Sequence, residues 1–394
     1  MLGILAINIT GFWGPPLASS SPIVPIHQPG PELGSVAWFV IAFVLFEGKM
    51  RALFTLLFGA SMLLFIAAAE RRGASGTKLQ ARRLLWLGGF GYLHYLLLWW
   101  GDILATYALC GLVALGLRRL QTSGLVAVAL FALLGFAALD GGSALIGVAK
   151  DARVAAGITS PEERAKISDT NAHVLAKMHE DVVTAQAPFT EAVRRRATRD
   201  PWLPLRAARE TASETIPLML LGMALFQSGF FSGRWSRRKL VALAFGGIGA
   251  GGAATLGLAW LIASTAFSLR MTSAAITPWG TLPAIAMGLG YAALFMLAWP
   301  WLSRSAIGRR LALAGRVAFT NYLGTTLVMC ALFSGWGLAL GVGGPHPMPR
   351  GVLPLVMLAG WALMLAWPGA WLARFGQGPL EALWRRLTWW GVAR

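Results

Sequence analysis

The chain has 394 residues, 56% hydrophobic and 13% charged, with 18 tryptophans and a formal charge of +18 from 34 Lys+Arg against 16 Asp+Glu. A mean hydropathy of +0.62 excludes an ordinary soluble domain, which would leave too much apolar surface in water. The positive charge does not point to nucleic acid, because the basic residues sit in short connections where cytoplasmic retention accounts for them.

A hydrocarbon slab about 30 Å thick requires roughly 20 apolar residues per crossing helix. Candidate spans are residues 1–14, 36–69, 84–100, 103–117, 122–148, 215–232, 240–265, 278–302, 311–341 and 351–373. Met1 to Trp13 has no basic lead and no small-residue cleavage site, so no cleavable signal peptide is expected.

The connections alternate in charge. Residues 15–35 hold His27 and Glu32 but no Lys or Arg, whereas 70–83 holds Arg71, Arg72, Lys78, Arg82 and Arg83. Gly101-Asp102 is acidic, and Arg118-Arg119 is basic. After the long segment 150–214 the basic group Arg234, Arg237, Arg238 and Lys239 follows. The 266–277 connection has only Arg270, Arg304, Arg309 and Arg310 form the next basic group, and the tail carries Arg374, Arg385, Arg386 and Arg394. By the positive-inside rule this predicts an all-α polytopic bundle of about ten spans, N-in and C-in. It is expected to form one domain over 1–394, with 150–214 as an extracytoplasmic amphipathic insertion whose SPEE at 160–163 signals a helix start.

Two spans are irregular. Residues 36–69 would make a helix some 50 Å long, too long for one straight crossing, and the middle reads Glu47-Gly48-Lys49-Met50-Arg51. Either Glu47 pairs with Arg51 at i,i+4 and staples the helix, or these charges face a wet cavity in the bundle. Span 311–341 carries Arg316 and Asn321 in GRVAFTNYLGTT, where Arg316 also reads as a snorkelling end residue.

His94 lies in GYLHYLLLWWGD, about 12 Å along a helix axis from Asp102. It reads either as a histidine bonded to a neighbouring helix or as a base whose tautomer an acid fixes, and Asp102 as an N-cap or as that acid. Gly247-Ile248-Gly249-Ala250-Gly251-Gly252 matches GxGxxG without a preceding strand, so Gly247 and Gly251 instead form a small-residue face for close helix packing. Tryptophans 99, 100, 299, 301, 389 and 390 read as interfacial anchors, and Cys110 and Cys330 as small buried hydrophobes. His173 and His179 share no helical face well, so no metal site is expected there.

Several strings together resemble the YeiB-like bacterial membrane proteins, grouped as domain of unknown function 418. They are LGILAINI (2–9), FEGKMRALFTLLFGAS (46–61), LLLWWGDILATYALCGL (96–112), LMLLGMALFQSGF (218–230), GRVAFTNYL (315–323) and GPLEALWRRLTW (378–389). The family's DALRG-like lead into the first helix is missing, the chain opening at Met1-Leu2-Gly3. The family is more distantly similar to integral-membrane acyltransferases. That resemblance implies transfer of an acyl group from cytoplasmic acyl-CoA, as co-substrate, to an extracytoplasmic glycan or lipid acceptor, in a bacterial inner membrane and with no resident cofactor. Under that reading His94, Asp102, Asn8 and Glu47 are catalytic candidates, and Lys49, Arg51 and Asn321 bind substrate or oxyanion. Arg82, Arg83 and Arg316 would contact the phosphates of the coenzyme. The rival expectation is a small-molecule transporter or exporter, in which the intramembrane charges line a substrate path.

Overall fold

The computed structural model describes residues 1–20, 22 and 33–392, so His27, Glu32 and Arg394 lie outside the described residues. All regular structure among them is helical. In chain order the helices are α1 (Leu2–Trp13), α2 (Pro16–Ser20), α3 (Leu33–Leu45), α4 (Lys49–Glu70), α5 (Gly76–Leu97) and α6 (Leu104–Leu117). They continue as α7 (Thr122–Ala155), α8 (Pro161–Ala185), α9 (Phe189–Arg199), α10 (Leu203–Gln227), α11 (Arg237–Ser264) and α12 (Leu269–Ile276). The last are α13 (Thr281–Leu302), α14 (Ala306–Arg316), α15 (Ala318–Phe333), α16 (Leu353–Phe375) and α17 (Pro379–Thr388).

A helix satisfies its backbone internally, which is what lipid demands of a spanning segment. Among the described residues five stretches are long and apolar enough to cross a membrane, Leu33–Glu70, Thr122–Val154, α11, α13 and Arg350–Phe375, with a sixth if the bent pair α14/α15 is one span. These are the helices of a membrane protein, and large side chains such as Phe131, Leu139 and Phe245 stand on their outer surfaces without protein cover. The remaining candidate spans do not reach that length and composition. α1 and α6 are short, α5 opens with Lys78, Arg82 and Arg83, and the first half of α10 carries Arg206, Arg209, Glu210 and Glu214.

Both irregular spans are broken. Between α3 and α4 the amides of Phe46 and Glu47 both donate to Ala42 O, at 2.9 and 2.8 Å, and Gly48 takes φ 72°. Between α14 and α15 the chain bends by 86° at Val317. The small-residue face forms as expected: a Cβ on Gly247 would lie 2.5 Å from Ala286 O, and one on Gly251 2.6 Å from Pro283 O, so only glycine lets α11 approach α13 this closely.

Within 150–214 the helix start is capped as the sequence signals, Ser160 Oγ accepting from Glu163 N at 3.1 Å. The segment is tied to the bundle: Arg196 donates to Leu98 O at 2.8 Å, and Gln186 to Phe333 O and Val342 O at 3.1 and 3.0 Å. Cys110 and Cys330 are buried free thiols. Trp99 departs from the anchor reading: it is buried, stacks on Phe12 at 4.0 Å between centroids, and donates to Gly11 O at 3.0 Å. Its place next to Trp100 in the sequence does not reveal that the turn after α5 folds inward against α1, whereas Trp301 and Trp390 do stay exposed.

Candidate functional site

The short turn after α5 brings two ionisable side chains together in the interior. Because the chain reverses between Leu98 and Ile103, Asp102 lies back against the last turn of α5, and its Oδ1 is 2.8 Å from His94 Nδ1. Its Oδ2 accepts from Ala105 N at 2.8 Å, so one carboxylate both bonds an amide in the first turn of α6 and contacts the imidazole. Gly91 makes room: a Cβ there would sit 2.3 Å from Ala105 N and 2.7 Å from Asp102 Oδ2.

The two side chains are 0% and 1% exposed. In the tautomer whose proton sits on Nδ1, the bond to Asp102 satisfies that nitrogen and the Nε2 lone pair points away from it. Among the described residues no group bonds to Nε2. Beside it lies the ring of Tyr322, its centroid 5.2 Å from that of His94. Tyr322 also lines a cleft of about 220 Å³ between α1, α15 and α16, together with Asn8, Thr325 and Thr326.

The other candidates lie elsewhere. Arg51 does not pair with Glu47; its Nη2 is 3.0 Å from Glu214 Oε2 on α10, and the hydroxyls of Thr55 and Tyr107 meet at 2.7 Å one turn on. Lys49 folds back over the α3–α4 break, donating to Phe43 O at 2.8 Å with its ammonium 5.2 Å from the Phe43 ring centroid. Asn321 is fully engaged across the α14–α15 break: Nδ2 donates to Ala314 O and Met364 O, both at 3.3 Å, and Oδ1 accepts from Trp367 Nε1 at 2.8 Å.

Arg82, Arg83 and Arg316 hold the C-terminal segment. Arg82 donates to Trp390 O at 2.6 Å, Arg83 stacks 4.2 Å from the Trp384 ring centroid, and Arg316 donates to Gly376 O at 3.0 Å. Arg82 and His94 are twelve residues apart on α5, about 18 Å at 1.5 Å per residue, so Arg82 and Arg83 lie toward one end of that helix and His94 toward the other. Among the described residues no three His, Cys, Asp or Glu gather at metal-binding range.

Two carboxylates with partners distant in sequence escaped the sequence reading. Glu214 stands just before the apolar run of α10, where an acidic residue at the edge of a span was itself a signal. Glu381 on α17 reaches the N-terminus of α15, accepting from Phe319 N at 2.7 Å, Thr320 N at 3.0 Å and Thr320 Oγ1 at 2.6 Å. It neutralises the positive end of a helix whose own sequence offers no acidic cap.

Comparison with known proteins gives consistent matches. The chain is 30% identical to the uncharacterized protein YeiB of Escherichia coli (strain K12), over 98% of this chain and 93% of that protein. It is 27% identical to the uncharacterized protein YxaH of Bacillus subtilis (strain 168), over 88% of this chain and 82% of that one. A family described as protein of unknown function (DUF418) matches residues 225–391, which include Asn321, Tyr322 and Glu381. No solved structure matches.

Proposed function

Because the chain belongs to the DUF418 family of YeiB-like proteins, we propose that it is an integral-membrane acyltransferase. It would carry an acyl group from cytoplasmic acyl-CoA to an extracytoplasmic glycan or lipid hydroxyl. The observation that carries this reading is the enclosed His94–Asp102 pair with its unengaged Nε2. A base so oriented takes the hydroxyl proton as the acceptor oxygen attacks the thioester carbon, then returns it to the departing thiolate. The Asn8 amide, in the cleft that Tyr322 shares, is the candidate donor to the oxyanion.

The proposal includes ten crossings, both termini inside, in a bacterial inner membrane, as one domain with 150–214 on the outer side. Contacts between connections support it, because they segregate by expected side. Loops read as outer meet one another: Val342 N donates to Trp13 O at 2.7 Å, Arg196 to Leu98 O at 2.8 Å, and Arg270 pairs with Asp151 at 2.9 Å. Segments read as inner meet likewise, through Arg82 with Trp390 and Arg316 with Gly376. In this frame the dyad faces the acceptor side and the arginines of α5 the coenzyme side.

The exporter reading draws on one observation, the sharply broken α14–α15 pair with a carboxylate at its inner helix end, a form that transporters use around substrates. Inside-out vesicles given radiolabelled acyl-CoA separate the two. Transfer of label to glycan or lipid that is abolished by His94→Gln supports the enzyme. Transfer unchanged by His94→Gln removes the dyad from the reaction, and proton-driven flux without transfer supports the exporter.

A further inference from the structure

At 100° per residue α1 turns Asn8 and Phe12 one way and Ala6, Ile7 and Thr10 the other, and each face lines its own cleft. The second cleft, of about 350 Å³, has apolar walls from Phe39, Phe43 and Ile276 with Trp38, Glu47 and Arg350 set among them. Two of its polar side chains have no hydrogen-bond partner among the described residues, one half-exposed and one buried.

The first is Glu47. Sequence places Lys49 and Arg51 within four residues of it, yet the structure commits Lys49 to Phe43 O and Arg51 to Glu214. Among the described residues the Glu47 carboxylate makes neither a hydrogen bond nor a salt bridge, although it lies in the middle of the apolar stretch Leu33–Glu70 and is drawn to Lys49 and Arg51 only through space. The second is Trp38, which is 4% exposed and whose indole N–H has no acceptor. A lone carboxylate and an enclosed N–H without a partner are both unfavourable in an apolar wall. One ligand relieves both if it brings a cationic donor to the acid and an acceptor to the indole. The guanidinium of Arg350, already partnered, packs 5.9 Å from the Phe39 ring centroid in the same wall. A simple anion would meet Glu47, and a metal ion would find a single carboxylate.

We propose that this cleft binds a small zwitterionic amine, its ammonium against Glu47 and its anionic group on the Trp38 indole N–H. The assignment is independent of acyl transfer. Its chemistry is shared by free aminoalkyl phosphates and by the headgroup of an aminophospholipid.

The probe is radiolabelled phosphoethanolamine, equilibrated with the full chain in phosphatidylcholine nanodiscs. Saturable binding is expected, weakened about tenfold or more by Glu47→Gln and several-fold by Trp38→Phe, as loss of a charge-assisted and of a neutral hydrogen bond imply. On the unaltered chain, ethanolamine and inorganic phosphate should each compete at least about tenfold more weakly than phosphoethanolamine, since neither spans both groups. This arm holds even if a variant does not fold. Competition when the discs contain phosphatidylethanolamine identifies the lipid headgroup as the source, and its absence a free solute. No saturable binding, or binding that phosphate alone competes equally well, overturns the proposal.

Discussion

The bundle interior and the α8–α9 surface handle charge in opposite ways. On α9, Glu191 accepts from Arg194 and Arg195 one turn away, each at 2.7 Å, and these two arginines hold its carboxyl down to about 2. All three groups reach water, so each would be solvated without the others and the cluster adds little to stability. In the interior the carboxylates have little solvent to fall back on: Glu214 is 7% exposed beside Arg51, and Asp102 is 1% exposed beside His94. The same ion-pair geometry is therefore a local convenience on α9 and a constraint on helix arrangement in the bundle.

The comparison is sharpest at the dyad. Asp102→Asn keeps the shape but presents an amide to Nδ1, and under the proposed function acyl transfer should fall by about 10²–10⁴-fold with little change in thermal unfolding. A comparable loss of folded protein instead would mean that the pair is structural. The next test is Glu214→Ala, which leaves Arg51 without its counter-charge and should lower stability in detergent by about 3 kcal/mol. Arg51→Met with Glu214→Leu should recover most of it, since neither member then remains unpaired. Glu381→Gln should cost about 1 kcal/mol, read as faster proteolysis around residues 316–320, because the α15 amides keep an oxygen but lose its charge.

Glu191→Gln should have the smallest effect, and one that depends on pH. The carboxyl of Glu191 titrates near 2 when folded against 4.5 ordinarily, so its contribution is complete above about 4.5 and disappears as the pH falls through about 2. Amide exchange in α9 should accordingly differ between wild type and variant at neutral pH and converge in strong acid. A difference of equal size at every pH would contradict this assignment.

Local signals were legible at several points. The break near Gly48 follows from the length of an apolar run with charges in its middle, the Ser160 cap from SPEE, and the α11–α13 contact from glycines spaced four apart. His94 and Asp102 were also named from the sequence, being separated by only a short turn. Other roles were not legible. Asn321 reads as a polar residue available to a substrate, yet its amide is consumed by Ala314, Met364 and Trp367. The contacts of Arg82 and Arg83 with the C-terminal segment, through Trp390 and Trp384, were not foreseen either.

Composition and the alternation of basic connections are properties of the chain itself, and they determined its solvent and its helical class, because lipid accepts only segments that satisfy their own backbone. Which charge meets which was decided by packing alone. Arg51 finds Glu214 at a separation of 163 residues and Glu381 caps Phe319 at 62. Such partnerships depend on which helices lie side by side, and no spacing along the sequence carries that information.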